Sequence, residues 1–236
     1  MLHKLKGRGI KTALLRPFEP IWLYKLPKTR FRLFGDASQY GECLILRGLL
    51  AECPEKFVVD VGANDGIRHS NSYYFLQQGW SGILVEPHPV VFKDLVSLYQ
   101  ANPKVRCVNL ACGETEGTAP LYFGADGEAA EFSTLSSEDT PYFERTRMED
   151  CVDVQIQTLT RILLDNNCPK SFALLSIDAE TFDLEVLKGL DLETFRPKWI
   201  VTENYAPKDG EKFKLLENAG YVLRKRSGVN TIWMEA

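Results

Sequence analysis

Acidic and carboxamide side chains recur just past the apolar runs of this chain. Asp60 and Asp65 lie in "FVVDVGANDG", Glu86 in "GILVEP", and Asn109 in "KVRCVNLACG". Asp178 and Glu180 close "FALLSIDAE", and Glu203 with Asn204 closes "PKWIVTEN". One acid at a strand end is ordinarily a helix cap. Five polar ends converging on one rim exceed what capping requires, and carboxyl groups so gathered can bind polar groups and move protons.

The elements that must bring them together follow from periodicity. From Phe57 onward short apolar strands alternate with helical stretches. "SNSYYFLQQGW" reads as a helix ended by Gly79, and "PVVFKDLVSLYQAN" as a second, with Val91, Leu95 and Leu98 at spacings of four and three. Residues 104–113 read as a third strand. Residues 116–137 read as a hairpin or edge extension, residues 139–150 as an exposed connector, and "VDVQIQTL" as a strand before a helix over 160–166. Strand, helix, strand, helix and a terminal hairpin complete the chain. Such alternation predicts parallel strands with crossover helices, whose ligands bind beyond the carboxyl ends of the strands.

The turn "DVGANDG" sharpens the chemistry. Gly62 permits a tight bend and Gly66 a close backbone approach. The spacing is not G-x-G-x-x-G, and no P-loop lysine is present. Asp60 and Asp65 suit an amine better than a phosphate. Glu86 lies 20 residues past Gly66, where a carboxylate takes ribose hydroxyls. Amine, ribose and no phosphate together describe S-adenosylmethionine.

"VVDVGANDG", "LVEPHP", "NLACGETEGTAPLY", "LLSIDAETFDLEVLKGLDL" and "IVTEN", in that order, resemble the successive blocks of the FkbM-type S-adenosylmethionine-dependent methyltransferases, with "SQYGECLILRGLL" similar to the segment before the core. The resemblance spans about residues 36–236. It implies an α/β fold: a three-layer, Rossmann-like, seven-stranded class I methyltransferase sheet, mostly parallel, with one antiparallel strand near the C-terminus. It also implies that Asp60, Gly62, Ala63, Asn64, Asp65 and Gly66 line the methionine part of the cofactor. Glu86 would take the ribose, and Pro87, Asn109 and Ala111 would lie near adenine. Asn109 is equally readable as a strand-end turn. Ser70 and Asn71 read as caps of the first helix, with contact to the cofactor carboxylate as the alternative.

The fourth block departs from the common form "KIDVEGAE": Ser176 stands for Lys, Thr181 for Gly and Asp183 for Glu. Cys43 replaces the acid usual after "GE". These changes bear on the acceptor more than on the cofactor. Asp178 is the first candidate for a base and a further cofactor contact, Glu180 the second, with Glu203 and Asn204 facing them. Asp178, Glu203 and Asn204 are also similar in layout to the metal ligands of catechol-type O-methyltransferases, and oxygen ligands of this sort suit Mg²⁺. The metal-free reading, with these groups bonded to substrate hydroxyls or backbone amides, is preferred. His69 reads as a surface turn rather than a base, and His88 as a loop residue near adenine.

Residues 1–34 hold nine Lys or Arg against one acid, so the net charge of −4 divides into +8 for this arm and −12 for the rest. The charge marks a basic arm over 1–34, and the resemblance implies a methyltransferase domain over 35–236. Leu14, Leu15, Phe18, Ile21, Trp22, Leu23 and Tyr24 would let the arm pack on the body, on a second subunit, or peripherally on an anionic membrane. An acidic body argues against nucleic acid. The six cysteines form no C-x-x-C pair, which suits reduced thiols in the cytoplasm. The expected activity is O-methylation of a hydroxyl on a sugar, glycolipid or secondary metabolite. An N-methyltransferase, or a non-catalytic cofactor-binding module, is the alternative.

Overall fold

A computed structural model describes residues 27–124, 135, 148–204 and 209–236. β1 (Phe57–Val61), β2 (Ser81–Val85), β3 (Val105–Val108), β7 (Ser171–Ile177), β8 (Arg196–Glu203), β9 (Tyr221–Ser227) and β10 (Asn230–Glu235) form one sheet in the order β3-β2-β1-β7-β8-β10-β9. The first five run parallel, and β10 is antiparallel to both β8 and β9. This is the expected seven-stranded, mostly parallel sheet with its reversed strand near the C-terminus.

Strands in this sheet read as continuous apolar runs because both faces are covered. Val59, Val61, Ile83, Leu175 and Ile200 point to one face, where they meet α5 (Leu159–Asp165) and α6 (Asp183–Lys188). Val58, Leu84, Leu174, Val201 and Ile232 point to the other, against α2 (Glu42–Leu49), α3 (Tyr73–Gln77) and α4 (Pro89–Tyr99). Each fully buried Leu or Ile contributes about 1.5–3 kcal/mol, so alternation along β1, β2, β7 and β8 holds three layers together. α7 (Asp209–Asn218) joins β8 to β9.

Two readings of the sequence change. The run over 104–113 is not one strand: β3 stops at Val108, and Ala111–Cys112 is β4, in a separate sheet ordered β4-β6-β5. β5 (Gly117–Gly124) pairs antiparallel with β6 (Met148–Gln157), from Gly117↔Ile156 onward, rather than with a strand inside 116–137. β6 therefore begins within the segment read as a connector. The remainder of that segment, and of 125–137 apart from Leu135, lies outside the described residues.

Residues 1–26 of the basic arm also lie outside the described residues. The last part of the arm is α1 (Pro27–Phe34). Its Arg30 is fully buried, donating to Asp36 Oδ2 at 2.9 Å and to the carbonyls of Ser38 and Gln39 at 2.9 and 2.8 Å. This guanidinium latches residues 36–39 over the carboxyl ends of the strands. All six cysteines are free thiols. Among the described residues, no helix is long and apolar enough to cross a membrane.

Candidate functional site

Strand order reverses at β1, which continues to β2 and β3 on one side and neighbours β7 and β8 on the other. A cleft of about 1070 Å³, counted to its open mouth, lies beyond the strand ends there. Gly62, Ala63 and Asn64 cross it. Gly62 has φ +79°, and a Cβ there would fall inside the Asp178 carbonyl, so this turn admits only glycine. The backbone is tied on both sides: Gly62 and Ala63 donate to Val85 O at 2.9 and 3.0 Å, and Asp178 N donates to Val61 O at 2.9 Å.

On the β2 side, Glu86 is 6% exposed. Its Oε2 accepts from Asn64 N and its Oε1 from His88 N, each at 2.8 Å. Each oxygen keeps capacity for a further donor. Burial raises the carboxyl to about 7 against these two bonds. Asn109 Nδ2 donates to the carbonyls of Glu86 and Pro87 at 2.8 and 3.0 Å. It thus braces this end and does not line the cleft, whereas Pro87, Leu110, Ala111, Cys112, Leu121 and Leu135 make an apolar wall. His88 caps α4, its Nδ1 accepting from Val90 N and Val91 N, and its ring meets Phe123 edge-on at 4.4 Å.

Asp65 and Gly66 belong to the same turn but lie outside the cleft lining. Asp65 Oδ1 accepts from Ile67 N and Arg68 N at 2.8 and 2.7 Å. A Cβ on Gly66 would meet Leu95 and Tyr99 of α4, so this glycine serves packing of the turn on a helix.

On the β7 side, Asp60 Oδ2 accepts from Ser72 Oγ at 2.5 Å and Ser70 Oγ at 3.5 Å. Burial raises Asp60 to about 6 in spite of these hydroxyls. Ser70 Oγ also accepts from Tyr73 N at 2.9 Å, so Ser70 caps α3 while Asn71 reaches across to Ser176. Asp178 Oδ1 is screened from solvent and has no protein partner. Burial first, then the charges of Asp183, Asp60, Glu42 and Glu86, raise Asp178 to about 8. Burial and Asp178 likewise raise Glu180.

Asp178, Glu180, Phe182 and Glu203 line the cleft; Asn204 does not. Asp183 brackets this rim: Oδ1 accepts from Ala179 N at 3.0 Å, Oδ2 from Glu203 N at 2.8 Å, and Lys212 Nζ lies 3.7 Å away. Among the described residues no group of three or more His, Cys, Asp or Glu is placed to hold a metal ion. At the mouth stand Gln39, Arg68 and His69. His69 does sit in an exposed turn, at φ +57°, bridged to Ser38, but that turn opens onto the cleft.

The "Methyltransferase FkbM domain" profile matches residues 60–223, well over half of the chain. The chain belongs to the FkbM methyltransferase family. It is an S-adenosylmethionine-dependent methyltransferase. No curated protein sequence matches it. Among solved structures, a methyltransferase from Geobacter sulfurreducens is 11% identical over 94% of this chain and 91% of its own, with a TM-score of 0.46. Precorrin-6y C5,15-methyltransferase from Geobacter metallireducens GS-15 is 11% identical over 83% and 87%, at 0.43. Fibrillarin from Aeropyrum pernix, solved with natively bound S-adenosyl-L-methionine, is 9% identical over 81% and 74%, at 0.42.

The methyltransferase's own groups fit its cofactor. Glu86 offers two oriented acceptors for vicinal hydroxyls, and the wall from Pro87 to Cys112 offers an apolar slot for a flat base. Asp60 and Asp178 place carboxyl groups, which accept from an amine and whose ionisation a sulfonium would favour, on the opposite side of the cleft. Leu121 could not be assigned to this slot from sequence, because only the β5–β6 pairing carries it to β4, where Leu135 packs against it.

Proposed function

We propose that this methyltransferase methylates a hydroxyl group of a small-molecule or glycolipid acceptor, with Asp178 as the base. The cofactor, when bound, supplies an electrophilic methyl group on a sulfonium. Glu86 holds the ribose, Gly62 to Asn64 let it lie against the backbone, and the apolar wall takes adenine. The protein's work is then alignment and exclusion of water. An acceptor hydroxyl held between Asp178 and that methyl group would give its proton to Asp178 as the methyl group is transferred, leaving S-adenosylhomocysteine.

The observation that supports this most is Asp178 Oδ1, an oxygen without a protein partner on a carboxyl raised to about 8. A base works best when its pKa lies near the ambient pH. Ser176, Thr181 and Asp183 mark the same rim as the place where this chain departs from the common family form. The glycolipid option rests on the basic, partly apolar arm, and the proposed cytoplasmic setting on six free thiols.

Asp178→Asn tests the assignment. With isotopically labelled methyl donor and a panel of alcohols and amines, turnover at saturating donor should fall about 10²–10⁴-fold, a loss larger than any drop in S-adenosylhomocysteine affinity measured beside it. Unchanged turnover would remove Asp178 as the base. Exclusive N-methyl products would replace the hydroxyl by an amine.

A further inference from the structure

Asn71 is 7% exposed and lines the cleft beside Asp60 and Ser176. Its Nδ2 donates to Ser176 Oγ at 3.1 Å. Ser176 stands opposite Asp60 in the β1–β7 register. The carboxamide turns its amino group to Ser176, and Oδ1 is left over. Oδ1 is screened from water and has no protein partner. A buried acceptor in that condition is costly unless a donor reaches it.

The two ends of the cleft decide which donor. Glu86 and the apolar wall suit ribose and adenine, so the rest of the cofactor extends toward Asp60, Asn71 and Asp178. Its amino-acid tail carries one donor, the ammonium group, and one pure acceptor, the carboxylate. Oδ1 and the neighbouring carboxyls favour the ammonium and oppose the carboxylate. We propose that Asn71 is a cofactor-binding residue whose Oδ1 accepts a hydrogen bond from the ammonium of the methionine moiety, held in place by the Nδ2 bond to Ser176. The assignment rests on the cofactor placement above, and it reverses the alternative read from sequence, in which Asn71 meets the cofactor carboxylate.

Calorimetry on the full chain with two probes tests it. S-adenosylhomocysteine carries the amine and the carboxylate; 5′-methylthioadenosine keeps the nucleoside and thioether but has neither. Asn71→Ala should weaken S-adenosylhomocysteine about 10- to 100-fold, the scale of a lost hydrogen bond to a charged group, and leave 5′-methylthioadenosine within about twofold. Asn71→Asp keeps an acceptor oxygen and should bind S-adenosylhomocysteine better than the alanine variant does. Three results overturn the assignment: unchanged S-adenosylhomocysteine affinity in Asn71→Ala, equal loss for both probes, or an aspartate variant weaker than the alanine one. If the native protein binds neither probe, the cofactor placement itself fails. That outcome is separable because it needs no variant.

Discussion

Two bends cross the rim of the cleft, one after β1 and one after β7, and they are made from different residues. After β1, Gly62 and Gly66 take φ +79° and +82°, and Asn64 takes +51°. These are residue types that accept the left-handed region. After β7, Glu180 and Thr181 take +46° and +81° in succession. A β-branched residue at positive φ is a true outlier, and strain of this kind costs about 1–3 kcal/mol per residue. The side chains follow the same division. Glu86, past β2, has a backbone N–H on each oxygen, while Asp178, past β7, retains an oxygen with no protein partner among neighbouring carboxyls. The first bend is built to be occupied by a fixed ligand. The second holds strain and a cluster of carboxyl groups at the place proposed for the acceptor.

The largest expected effect tests the first bend. Gly62→Ala drives a Cβ into the Asp178 carbonyl at a positive φ and should cost about 3 kcal/mol or more in urea unfolding. A midpoint equal to native would mean that the two bends are not locked together. Next, Glu86→Gln sets an amino group against the N–H of Asn64 or His88 and weakens the grip on ribose. S-adenosylhomocysteine affinity should drop about 10- to 100-fold by calorimetry, the scale of a lost bond to a charged group.

A pH series probes the carboxyl groups of both bends. Asp60, Glu86 and Asp178 have folded values of about 6, 7 and 8, all above their unfolded ones. The folded chain therefore holds more protons than the unfolded chain between about pH 4 and 8. Free-protein stability should fall as pH rises through that window. A sulfonium offsets the emerging charge and a thioether does not. The affinity ratio of S-adenosylmethionine to S-adenosylhomocysteine should thus climb about tenfold between pH 5.5 and 8.5. A flat ratio would separate the carboxyls from the sulfonium. The smallest effect is a gain. Thr181→Gly relieves the outlier and should raise the melting temperature by about 2–4 °C, close to 1 kcal/mol in a domain of this size. A lower melting temperature would show that the threonine side chain contributes more than its backbone costs.

β1, β2, β7 and β8 were legible in sequence because burial on both faces leaves unbroken apolar runs. The turn from Gly62 was legible for a similar reason, since residue type reports a bend directly. The break between Val108 and Ala111 was not, because "VNLAC" stays apolar while its backbone changes sheets. β5 and β6 were hidden as partners by the length of chain between them. Asp65 and Asn109 carried the right chemistry for a ligand, but neighbouring backbone groups use it. Asp183 stood out only as a departure from "KIDVEGAE"; its two backbone bonds to the β7 and β8 rims appear only in three dimensions.

By itself, the order of residues settled the layered α/β class and the methyltransferase family, and it pointed to the carboxyl ends of the strands as the place of the site. Local periodicity, glycine placement and the spacing from Gly66 to Glu86 are all short-range properties of a chain. Tertiary structure alone decided which polar groups face the cleft and which are consumed beside it. Asn71 and Ser176 are 105 residues apart, and their hydrogen bond, which orients one carboxamide oxygen, exists only because β7 lies alongside β1.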